Sequence, residues 1–218
     1  MVYLFIFLNL AYMSILGMKR GEPFEAMFRV LFPYDVVREE YDGMMLIINV
    51  ALYMIIVSLP VKRVDEQLAL NPYILTRTTR IRALGMQAGN VFRVIVRVML
   101  IKFLVDIIWS CPLGLKNVEY AMLLELSTAL SICLWALPIY LLSFMYVQPK
   151  YRYFIVIVMV AVSQFMSAYY EVFSVMVPGS PAISATPWYW IGIKAAVLFV
   201  GVCILIFVSL RYECIDDY

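Results

Sequence analysis

Six long apolar runs set the terms on which this chain can fold. The first extends from Met1 to Met18, with no charged side chain before Lys19. Others follow at 44–60, 91–109, 121–147, 154–177 and 188–210. About 20 mainly apolar residues cross the roughly 30 Å of a bilayer's hydrocarbon. Inside that layer each backbone N–H and C=O must find its partner within the protein, which favours helices. The expectation is an all-α polytopic membrane protein of six transmembrane helices, with residues 1–218 forming a single transmembrane domain. The first run lacks the basic leader and small-residue cleavage pattern of a signal peptide, so it is read as a retained span. Composition agrees: 65% of the 218 residues are hydrophobic and 15% charged, against about 45–50% and about 25% in soluble domains. A soluble fold of this length has too little interior to hide that much apolar surface.

The segments between the runs differ in sign. Residues 19–43 carry four basic and six acidic side chains. The next outer link offers only Lys116 and Glu119, and the last, "PGSPAISATP", has no charge. By contrast, Lys62, Arg63, Arg77, Arg80 and Arg82 follow the second run, Lys150 and Arg152 the fourth, and Arg211 the sixth. Basic residues stay on the cytoplasmic side. Both termini are therefore expected in the cytoplasm, with Trp109, Trp188, Tyr189 and Trp190 in the outer aromatic belt. Within 19–43, Phe24, Met27, Phe28, Leu31 and Phe32 recur at helical spacing. That pattern suits either a helix on the membrane surface or one packed on the protein. Pro138 is expected to kink the fourth span, and "QPKYRY" (148–153) to form a tight turn.

The link after the second run is long and basic. Asn71 and Pro72 make a good helix start, and Ile74, Leu75, Ile81 and Leu84 alternate with Arg77, Arg80 and Arg82. These residues predict a cytoplasmic amphipathic helix, with Gly85 and Gly89 loosening the chain before the third span. Arg93 and Arg97 then sit at that span's inner end, where long side chains snorkel to headgroups. The charges could simply hold the link inside and bind anionic lipid. Alternatively the helix is a docking element, since orientation alone needs only a few charges on a short turn.

With "YILTRTTRIRALGMQAGNVF" leading to Arg97, the chain resembles the small membrane subunits of ABC transporters of the ABC-2 type, in particular those of bacterial antimicrobial-peptide export or immunity. The resemblance implies six spans in the bacterial plasma membrane and no ATPase motif in this chain. It also implies a cytoplasmic helix, here Tyr73, Arg77, Arg80, Arg82 and Leu84, that couples to a separate ABC ATPase subunit holding ATP and Mg. A second permease chain, identical or related, and the lipid bilayer complete the expected partners; nucleic acid is not among them. No cofactor and no metal are expected in this chain itself.

Ionisable residues inside spans are costly and therefore candidates for function. Lys102 and Asp106 lie four apart and can pair on one helix face. Glu125, Glu171 and Lys194 are expected to point into the bundle or an outer vestibule, with Glu171 and Lys194 as a candidate pair. These five form the expected intramembrane polar or substrate pathway; the alternative is internal neutralisation that sets helix register. The abundance of Met, Tyr and Phe suits either a pliable surface for hydrophobic cargo or ordinary packing. Enzymes are disfavoured. The chain has no histidine, which removes His-ligated zinc and imidazole bases. The serines Ser131, Ser143, Ser163 and Ser167 lack a nucleophile-elbow setting, and Cys111, Cys133, Cys203 and Cys214 form no C-x-x-C. No phosphate-cradling G-x-x-x-x-G-K-[ST] loop is present. The leading expectation is a permease subunit of an ATP-driven transporter exporting a hydrophobic or amphipathic peptide or small molecule. The alternatives are a non-transporting immunity or scaffold protein and a proton-coupled carrier.

Overall fold

The computed structural model describes residues 80–110, 118–144, 148–167, 169–178 and 180–211, with isolated positions between 3 and 66. The described residues are overwhelmingly helical. In order come two-residue strands β1 (Tyr34–Asp35) and β2 (Glu40–Tyr41), then helices α1 (Arg80–Ser110), α2 (Val118–Phe144) and α3 (Pro149–Met166), a 3-10 segment (Glu171–Val175), a short α4 (Pro181–Ala185) and α5 (Pro187–Arg211). The strands pair antiparallel, Tyr34 with Tyr41 and Asp35 with Glu40. Among the described residues one helix segment, Pro187–Val208, is long and apolar enough to cross a membrane; Met122–Pro138 and Tyr151–Met166 are shorter apolar helices.

Helices α1 and α3 each bury one stripe. On α1 it is Val91, Val94, Ile95, Val98, Lys102 and Val105; on α3 it is Arg152, Val156, Val160, Ser163 and Gln164, continued by the C-cap Ser167. Spacings of three, four and seven put each set on one face. The main core joins the α1 stripe to Ile132, Trp135 and Ala136 of α2, Val156 and Val160 of α3 and Leu205 of α5. Ile6 is fully buried in this core, and Tyr3, Phe7, Ile55 and Leu59 pack against it. The first two apolar runs thus contribute to the same core, and their described positions are helical, continuing at Lys62 and Glu66 beyond Pro60. The tightest pairing is α2 with α5. At Gly201 an added Cβ would lie 2.9 Å from both terminal methyls of Leu137, so a small residue is what lets these helices approach.

Three boundaries differ from expectation. Gly85 and Gly89 do not loosen the chain: α1 runs unbroken through both for 31 residues. The roughly 1 kcal/mol that each interior glycine costs is small beside the burial of the α1 stripe and the good helix formers around them. "QPKYRY" is not a turn; Pro149 opens α3 and the next residues form its first turn, proline's fixed φ being suited to that position. The run expected as a fifth span is not one helix to 177. Its helix stops at Met166, where the Ser163 and Ser167 hydroxyls donate to the carbonyls of Met159 and Gln164 and the chain turns into the 3-10 segment. Such local bonds compete with continued helix. At Pro138, α2 remains continuous. The helices expected around Phe24–Phe32 and Asn71–Thr79 lie outside the described residues.

Candidate functional site

The apolar helices carry a polar seam along α2, formed by Glu125, Ser127, Thr128 and Ser131, all buried. Thr128 and Ser131 solve their donor problem locally, bonding the carbonyls four residues back, of Leu124 and Ser127. Their remaining lone pairs, with Glu125 and Ser127, are left to meet other elements.

Two lysines meet this seam. Lys102 of α1, 2% exposed, forms a buried ion pair with the Oε1 of Glu125. Lys194 of α5 is fully buried. Its ammonium donates to Ser127 Oγ at 2.7 Å, Ser131 Oγ at 2.9 Å and the Val177 carbonyl at 2.6 Å, with the Ser127 carbonyl further off at 3.4 Å. Three N–H groups thus meet three good acceptors. Among the described residues, no carboxylate is a partner of Lys194. Ser127 donates onward to the Pro178 carbonyl at 2.8 Å, so α2 and α5 together hold the strand of chain at 177–178.

That segment is itself ordered by serines. Ser174 and Ser180 share a 2.7 Å hydrogen bond, and the Ser180 hydroxyl accepts the Ile183 N–H as the N-cap of α4, with Pro181 at the first helical position. Leu124, Val177, Ile183 and Trp190 form a small apolar cluster around it. The residues expected to be bare punctuation are a folded strap bonded to the bundle.

The other expected site residues are distributed as follows. Tyr73 and Arg77 lie outside the described residues. Arg80, Leu84 and Asp106 are in α1, with side chains outside the description, and Arg82 is exposed on it. Glu171 is exposed in the 3-10 segment, so the expected Glu171–Lys194 pair does not form. The reason is geometric: the Val177 carbonyl and two hydroxyls already take the ammonium's three protons. Lys102 reaches across to Glu125; Asp106, its expected partner within α1, has its side chain outside the description. Sequence reasoning weighed Ser131 only as a nucleophile and missed Ser127. The signal was present, as two serines four apart share one face of an otherwise apolar helix. Gln164 was also missed. It is 1% exposed, and neither atom of its side-chain amide has a partner among the described residues, nor does Oε2 of Glu125.

Among the described residues no three His, Cys, Asp or Glu side chains gather as a metal site. Chemically the arrangement is a fixed array of buried charges and dipoles joining three helices and a strap. Comparison with family models, curated proteins and solved structures returns no match to this chain.

Proposed function

We propose that the chain is the membrane-spanning permease subunit of an ATP-driven transporter. In this reading it crosses the bacterial plasma membrane six times with both termini in the cytoplasm. It pairs with a second permease chain and exports a hydrophobic or amphipathic peptide or small molecule, while a separate ABC ATPase subunit binds ATP and Mg. The chain itself is not the enzyme. The observation that carries the reading is the continuity of α1. The exposed, basic start of this helix, at Arg82, and its buried Lys102 belong to one rigid rod. A displacement imposed at the basic end is delivered to Lys102, and through Glu125 to α2. Apolar composition and the alternation of basic and non-basic links support the multi-pass topology.

Two experiments test this. An ATPase subunit should co-purify with the protein and be lost when Arg77, Arg80 and Arg82 are replaced by alanine; retained binding removes the docking role. Breaking the rod with Ala88→Pro, a helix-interior proline costing about 3 kcal/mol locally, should leave ATPase binding intact and abolish transport. Full transport by that variant refutes coupling through α1. The buried Lys102–Glu125 pair favours one other reading, a proton-coupled carrier. Transport driven by a pH gradient with no ATPase bound would select it.

A further inference from the structure

Arg93 and Arg97 are exposed on α1, one turn apart, on the side opposite its buried stripe. Their depth follows from the ion pair. Glu125 lies about 10 Å along α2 from Val118, on a helix about 40 Å long. Val91, Ile95 and Val98, before Lys102 in α1, share the core with Ile132, Trp135 and Ala136, after Glu125 in α2, so the two helices run antiparallel. Counting back from Lys102, Arg97 is level with a point about 18 Å along α2, and Arg93 with one about 24 Å along it. Both arginines are therefore level with the middle of α2. With the roughly 30 Å of hydrocarbon centred on α2, as the transport reading has it, each lies about 11 Å or more from the headgroups, farther than an arginine side chain snorkels.

Neither guanidinium has an ion-pair partner among the described residues. Against lipid at this depth each would cost about 3 kcal/mol or more. Charged side chains at mid-membrane face the bundle interior or water, and these two do not face the described interior. Large apolar side chains stand beside them, with Phe92 63% and Leu100 54% exposed. A surface pairing two fixed cations with apolar neighbours complements an anion with an apolar body.

We infer that the face of α1 bearing Arg93 and Arg97 lines a water-filled passage within the membrane and binds the carboxylate or phosphate of a solute that passes along it. This inference deepens the transport reading and rests on it. It specifies cargo that carries an acidic group.

The test uses the full chain in sealed phosphatidylcholine vesicles, with Cys111, Cys133, Cys203 and Cys214 replaced by alanine. Single cysteines are introduced by Arg93→Cys, Arg97→Cys, Val158→Cys on α3 and Phe199→Cys on α5 and treated with a membrane-impermeant anionic thiol reagent. The arginine positions should label at least tenfold faster than Val158→Cys and Phe199→Cys. Inorganic phosphate should slow labelling of Arg93→Cys severalfold, an effect lost with added Arg97→Gln and kept with Arg97→Lys. Labelling of the arginine positions as slow as at Val158→Cys overturns the passage. Fast labelling indifferent to phosphate overturns the anion site. Slowing by phosphatidylglycerol but not by phosphate assigns the arginines to a lipid headgroup and overturns the solute. Fast labelling at Val158→Cys and Phe199→Cys as well means that the chain is not embedded in lipid, and the membrane reading fails first.

Discussion

Lys102 and Lys194 are buried to nearly the same degree, 2% and 0% exposed, yet the fold accommodates them by opposite means. Lys102 meets a full negative charge on Glu125. Among the described residues Lys194 meets only dipoles, chiefly two serine hydroxyls and a backbone carbonyl. A charge partner is strong but vulnerable, because removing either member leaves the other buried and uncompensated. A cage of dipoles divides the task among several groups, each of modest worth, and ties the lysine to wherever those groups come from. For Lys194 they come from α2 and the strap. The first lysine therefore joins two helices, whereas the second also fastens a loop.

The largest effect should come from breaking the ion pair on one side. Lys102→Met strands the Glu125 carboxylate and should cost about 3–5 kcal/mol, read by denaturant unfolding in detergent. The double variant Lys102→Met with Glu125→Leu should recover most of that loss. If the single and double variants are equally unstable, the pair is not the source. Lys194→Met should cost less, about 1–3 kcal/mol, because Ser127 and Ser131 keep their bonds to the Pro178 and Ser127 carbonyls. Its distinguishing sign should be local: proteolysis within the strap should accelerate, while the same assay on Lys102→Met shows change spread over the bundle. Ser131→Ala, which removes a single dipole from the cage, should cost about 1 kcal/mol and accelerate strap cleavage only slightly. A loss as large as that of Lys194→Met would show that the cage is not shared as the geometry implies.

These contrasts mark where sequence reasoning succeeded and where it stopped. The helical class was legible because apolar runs of this length have few other ways to satisfy their backbone. Lys102, Glu125 and Lys194 stood out as charges within apolar runs. Their partners did not. Glu125 could not be matched to Lys102 on paper, because spacing along one helix is visible in a string and spacing between helices is not. The Glu171–Lys194 pairing failed because of that invisibility, compounded by the early end of α3, which leaves Glu171 exposed in a 3-10 segment. The level of Arg93 and Arg97 against α2 was likewise hidden in the string; the contact of Lys102 with Glu125 and the shared core set it.

What the string of residues determined by itself is the helical character of the chain and the identity of its costly groups, since both follow from local composition and from burial penalties that act on single side chains. What only the tertiary structure decided is who answers whom: the carboxylate for Lys102, the hydroxyls and the Val177 carbonyl for Lys194, and the level of the two exposed arginines. Hydrogen bonds and ion pairs act over a few ångströms. Residues 23, 63 or 67 positions apart, as in these pairs, come within that range only once helices have packed.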